Sequence, residues 1–321
     1  MSTSSSEDID SPSGEDFRQN EWIGVGRILP IRPNDIPIGL ANFFAMLLDV
    51  PATVKTTHYP STGLNIDRFL AFPLPKETHS LPKIPVDEWF SHVVPNEHEE
   101  LFVTRPLPAW NFLDKLYDRF CQAVLDGAKS IVDPAFPWSY LPLWCIQFWK
   151  DMYTIYGARR EWKEAVEWLD ENGINSTGNK RELFIHVRQT LGTLRWNEET
   201  TIPGANQTTT LAFASYLSYE TMMSTIHIDM MFAYLSELVG DSERGGTHVE
   251  TMRFWFEIDK LKSQADLEKQ SKHFMRHIEQ RINDGEIKIL IMPCFLKREH
   301  HWLTIKIDFV DQTLSYGKYS C

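Results

Sequence analysis

His301 and Trp302 open an apolar segment, His301-Trp-Leu-Thr-Ile-Lys-Ile-Asp308, which carries the strongest chemical signal in the chain. An imidazole titrates near neutral pH and can take or give a proton. Such a proton carrier would serve a nucleophile, and the thiols available are Cys121, Cys145, Cys294 and Cys321. Their spacing shows neither the pairing of a disulfide framework nor a C-x-x-C zinc knuckle. A reducing compartment is therefore expected, with no metal and no other cofactor.

The elements that must position His301 can be read from apolar periodicity. A strand is expected over Ile287–Met292, a second over His301–Asp308 and a third over Thr313–Tyr316. Before them come a helix near Ile226–Val239 and a long one within Val249–Asn283. Helices followed by an apolar hairpin, with no alternation of strand and helix, read as α+β. Further upstream, Trp110, Leu113, Leu116, Tyr117, Phe120 and Val124 recur at spacings of three and four, as on one face of a helix. A second helical run covers Leu143–Asp170 and should stop at Glu171-Asn172-Gly173. These aromatic stripes read as core or as a helix–helix seam rather than as a cofactor box.

Four regions follow. Residues 1–20 are an acidic, Ser-rich tail too poor in apolar groups to offset the entropy of ordering. Residues 21–108 are rich in proline, which breaks helices and ladders, so loops and short elements are expected there, among them a helix at Ile38–Leu48. Residues 109–206 form a helical region. A polar stretch over 196–210, with Pro203 and Gly204, then leads into a last domain at 207–321.

Composition narrows the function classes. The chain has 321 residues, a hydrophobic fraction of 42% and a formal charge of −12. That is enough apolar material for one large or two ordinary cores. The negative balance, with no Lys/Arg run, argues against a non-specific nucleic-acid binder. No stretch reaches the length of apolar residues that a membrane span needs, and the N-terminus carries acids where a signal peptide carries bases. A cytoplasmic or nuclear location is expected.

The segment Lys288-Ile-Leu-Ile-Met-Pro-Cys294, followed by His300-His-Trp302 and Thr313-Leu-Ser-Tyr316, resembles the SUMO-type (ubiquitin-like-protein-specific) cysteine proteases. Leu217-Ser218 and Ile226-His-Ile-Asp-Met-Met231 are similar to that family's opening helix. The resemblance covers about residues 211–321, and the layout with a large helical N-terminal region is similar to expanded fungal members. It implies a helix-rich region followed by the incomplete front part of a papain-like cysteine protease domain. It further implies a Cys-His-Asp triad acting on the bond after a Gly-Gly tail, with SUMO or another ubiquitin-like protein as partner. The catalytic His falls on His301. The two aromatic residues that pinch the tail fall on Trp302 and, with Tyr in place of Trp, on Tyr216. The next family residue, Asp, is replaced by Tyr219, and Glu220 to Thr225 are read as an insertion.

The rest of the machinery departs from the pattern. An antiparallel hairpin turning around Val310 would set residue 301 opposite 318 or 319, and the family's orienting Asp falls on Lys318. Lysine has only donors and cannot accept a hydrogen bond from the imidazole. Asp308 and Asp311 lie at the far end of the hairpin, about seven residues or roughly 23 Å from His301, and are expected to shape the turn. The family's nucleophile and oxyanion-hole Gln would follow beyond Cys321, and none of the four cysteines stands in the nucleophile's place. The expectation is a degenerate family member, inactive as a cysteine-type isopeptidase on its own. The alternatives are the N-terminal piece of a longer deSUMOylating protease, and a helical interaction module without protease ancestry.

Overall fold

The structure, a computed structural model, describes residues 36–78, 84–96, 105–133, 136–199, 208–217, 224–239, 245–260, 274–298 and 301–318. The tail at 1–20, the middle of the stretch at 196–210, residues 220–223 of the insertion at 220–225, and Ser218, Tyr219 and Cys321 lie outside the described residues.

In chain order the helices are α1 (Ile38–Leu48), α2 (Ala52–His58), α3 (Ile66–Ala71), α4 (Trp110–Leu125), α5 (Cys145–Asn175), α6 (Gly178–Thr193), α7 (Leu211–Leu217), α8 (Thr225–Leu238), α9 (Met252–Lys260) and α10 (Phe274–Asn283). The strands are β1 (Phe90–Ser91), β2 (Ser130–Val132), β3 (Tyr140–Leu141), β4 (Thr247–Val249), β5 (Ile289–Leu296), β6 (His301–Asp308) and β7 (Thr313–Lys318). The fold is mixed helix and sheet, as the α+β pattern requires. Two units form, one of residues 1–61 with 71–158 and the other of 62–70 with 159–321.

The first unit is helical around a small antiparallel sheet, β1-β2-β3. The apolar face of α4 buries Leu113, Leu116, Phe120 and Val124, and Phe120 meets the ring of Phe44 from α1 edge-on at 6.2 Å. The helix ends where Gly127 takes a φ of 99°. Gly127 N–H donates to the Val124 carbonyl and Ala128 N–H to that of Ala123, which satisfies two end carbonyls. Among the described residues no single helix is long and apolar enough to cross a membrane. The bent pair α1–α2 reaches that length and composition together, but Leu40, Phe44 and Val54 of that pair are buried in the protein.

The second unit begins with aromatic packing. Phe69 stacks on Trp196 at 4.2 Å, and Trp162 Nε1–H donates to the Trp196 carbonyl. The helix α5 runs past the expected stop at Gly173 to Asn175, and the break comes at Thr177-Gly178, where Gly178 has a φ of 59°. A helix interior tolerates one glycine at about 1 kcal/mol, so Gly173 alone did not end it. Thr210 then ties the start of α7 back to the 195–199 segment, its hydroxyl donating to the Arg195 carbonyl at 2.6 Å.

The main sheet has the order β4-β5-β6-β7, with β4 parallel to β5 and the other pairs antiparallel. Gly246 opens β4 with a φ of 91°, and its carbonyl accepts N–H groups from Lys288 and Ile289. A Cβ there would lie 2.8 Å from the Lys288 side chain. The strand β5 continues four residues past the expected end at Met292, through Pro293. The Ile291 carbonyl accepts from Glu250 on the β4 side, and Pro293, two residues on, faces the same way. Its missing N–H therefore points past the end of β4, where no ladder bond is lost. Both sheet faces are covered. One carries Ile228 and Phe232 of α8 with Val249, Met252 and Trp302. The other carries Phe254 and Ile278 of α9 and α10 with Leu290 and Met292.

Candidate functional site

His301 is the first residue of β6 and pairs with Leu296 of β5. It is half-buried. Its Nε2 is sealed from solvent and has no hydrogen-bond partner among the described residues. A buried imidazole nitrogen without a partner is costly and asks for an explanation.

Trp302 points to the opposite face. It is buried, packs on Phe295 at 4.6 Å between ring centroids, and belongs to the cluster that includes Ile228 of α8. Tyr216 lies on α7 with its ring exposed, tilted against the ring of His227 at 5.3 Å. Tyr216 thus lies against the first turn of α8, while Trp302 belongs to the core cluster that Ile228 and Phe232 of α8 share. The short α7 holds its place through His227. The Ala212 carbonyl accepts from His227 Nε2 at 2.7 Å, and Ser224 N–H donates to Nδ1 at 3.0 Å. A carbonyl only accepts and a backbone N–H only donates, so the neutral Nε2–H tautomer is the one that satisfies both. His227 is three residues after Ser224, and the two side chains close a capping box at the head of α8.

The hairpin register corrects one expectation. Asp308 pairs with Thr313, closing a four-residue loop in which Gln312 takes a φ of 54°. In that register Lys318 stands opposite Leu303, not His301. The turn is centred between Val310 and Asp311, which slides the ladder away from the pairing a turn at Val310 would give.

Asp308 does what its place at the strand end suggested. Its Oδ1 accepts N–H groups from Val310 and Asp311 at 3.2 Å each. The Asp311 N–H foremost, then that of Val310 and the nearby Lys306 ammonium, hold its carboxyl below the usual range against the opposing effect of desolvation. It serves the turn and not the imidazole.

The described thiols are poor nucleophiles as placed. Burial pushes Cys121 up to about 11. Cys145 and Cys294 are buried and free of disulfides. Cys294 pairs with Leu303, which sets it diagonally across the sheet from His301 on the same face, at about 7–8 Å by ladder geometry. It is nonetheless 1% exposed, sealed from any substrate carbonyl.

Three groups near this region escaped the sequence reading. His227 and its capping role are the first, and the Ser-x-x-His spacing was the available signal. Asp229 is buried in α8 and accepts the Met252 N–H at 2.8 Å, which fixes α9 to α8. His248 and Glu250 alternate on and beyond β4, so they share a face, and they pair at 2.8 Å. No group of three or more metal-ligating side chains gathers among the described residues.

Comparison with known protein families, curated proteins and solved structures gives no match for this chain.

Proposed function

We propose that residues 211–321 derive from the front part of a SUMO-type cysteine protease and act as a binding module for a ubiquitin-like modifier, without isopeptidase chemistry of their own. The observation that carries this reading is the placement of His301. It heads the middle strand of the hairpin sheet, beside a ring seated under α8, with a buried Nε2 that no described group satisfies. That is how a general base would be left if its orienting carboxylate were gone. The chain's described thiols are buried or raised, so His301 has no exposed thiolate to serve.

On this reading the modifier's tail lies along the first turn of α8, where Tyr216 presents an exposed ring. Trp302 lies in the core cluster that α8 shares and does not touch the tail.

A second reading rests on the burial of Trp302. A ring packed in a core cluster is what a helical interaction protein with no protease ancestry would also contain. The test of the first reading's chemistry is turnover of a fluorogenic C-terminal amide of SUMO or ubiquitin by the full chain. No turnover above buffer is expected. Turnover abolished by His301→Ala or by Cys294→Ala would overturn it.

A further inference from the structure

The seam between α5 and α6 holds a cavity of about 430 Å³, a size within the range of small-molecule sites. Leu169, Gly173 and Phe184 form its inner part, and Ile174 and Ile185, 76% and 43% exposed, stand at its rim. Gly173 keeps it open. This glycine lies inside α5 with no positive φ that would require it, at a place where glycine weakens a helix. An added Cβ would meet only the Phe184 Cβ, at 3.7 Å, which is ordinary contact. Packing of the two helices therefore does not exclude a side chain, but a long one would fill the cavity.

The two ends of the cavity differ in charge. At one end Arg188 is paired with Asp67 at 2.8 Å and, across the seam, with Asp170 at 3.6 Å, so its charge is offset. At the other end Arg181 has no ion pair or hydrogen bond among the described residues. The Lys180 ammonium lies beside it, 5.9 Å from the centroid of the Phe184 ring. This is a cationic end in a chain whose formal charge is −12, and its complement is a single anion. We propose that the cavity binds an aliphatic monocarboxylate, with the carboxylate on Arg181 and the alkyl chain over Gly173 and Phe184 toward Arg188. A guanidinium takes a carboxylate through two parallel hydrogen bonds, and the chain removes the apolar rim from water. Arg181 and Arg188 are about 10 Å apart along α6, which is the length of a chain of about eight carbons. An amphipathic helical peptide needs about three turns or more of groove, whereas this seam offers two before the Arg188–Asp170 pair crosses it.

The experiment is isothermal titration calorimetry of the full chain with sodium octanoate. One saturable site with a Kd below about 1 mM is expected. Hexanoate, two methylenes shorter, should bind at least fivefold more weakly, and octylammonium should not bind. Arg181→Gln, at an exposed position, should weaken octanoate binding at least tenfold. Gly173→Leu should do the same by occupying the cavity, with an unchanged circular dichroism spectrum. The Arg181→Gln result decides the matter even if the leucine variant does not fold. The absence of saturable binding up to about 10 mM octanoate would overturn the proposal. So would octylammonium binding as tightly as octanoate, or octanoate binding indifferent to Arg181→Gln, which would mean adventitious association elsewhere on the chain. Displacement of octanoate by an acidic amphipathic helical peptide would overturn it too, by making the seam a protein contact.

Discussion

Lys318 stands opposite Leu303 in the β6–β7 ladder, while His301 pairs with Leu296 on the other side of β6. Directly opposed residues have Cβ atoms about 5 Å apart, and diagonal ones lie about 7–8 Å apart. A disulfide needs the shorter separation. The double variant Leu303→Cys with Lys318→Cys should therefore cross-link readily under mild oxidation. The pair His301→Cys with Lys318→Cys should remain reduced. Mass spectrometry of both after oxidation reads the register, and the reverse result would restore Lys318 to the place beside the imidazole.

The turn at the far end of this hairpin depends on the charge of Asp308. A carboxylate whose pKa is lowered on folding adds stability that is present above its unfolded value of about 3.9. That stability is lost as pH falls through the lower folded value. Asp308→Asn should consequently be less stable than the parent near neutral pH, and the gap should close below the usual carboxylate range. Urea unfolding at both pH values measures it. A gap of equal size in acid would mean that the carboxylate's charge has no part in the turn.

Trp302 and Tyr216 should respond oppositely to truncation. Trp302→Ala opens a cavity in the cluster beneath α8 and should cost about 3–5 kcal/mol. Tyr216→Ala removes an exposed ring and should change stability by no more than about 0.5 kcal/mol. Chemical denaturation of the two variants separates a core ring from a surface one. Equal costs would mean that one of the two rings is not where it is placed here.

Thiol reactivity gives a separate check. Burial pushes Cys121 up to about 11, so its alkylation by iodoacetamide should be slow at pH 8 and accelerate as pH rises toward that value. Cys145 and Cys294 should be modified only once the protein is unfolded. Rapid labelling of Cys294 in the native protein would point to an opening beside His301.

The hairpin, its flanking helices and the helical stripe of α4 were legible because each carries a clean apolar period. Three features were not. The end of β5 was hidden because Pro293 reads as a strand breaker unless its neighbour on the β4 side is known to be absent. The register of β7 hung on a positive φ at Gln312, a residue type that does not announce one. The role of His227 was hidden as well. A histidine three residues after a serine is a capping partner only when a carbonyl such as that of Ala212 stands behind it. At the site itself, His301 and Trp302 were found by pattern, but their division between two sheet faces follows from alternation along β6 and the burial of Trp302. No composition reveals that.

The proposed binding role stands or falls on whether the chain recognises a ubiquitin-like tail. The direct measurement is an NMR titration of isotope-labelled SUMO, with ubiquitin in parallel, by the full unlabelled chain. Resonances of the modifier's C-terminal Gly-Gly segment should shift or broaden, and Tyr216→Ala should weaken the effect at least tenfold, or about 1.4 kcal/mol. Unperturbed tails in both modifiers, up to the highest soluble concentration of the chain, would contradict the protease-derived reading and leave the helical interaction module in its place.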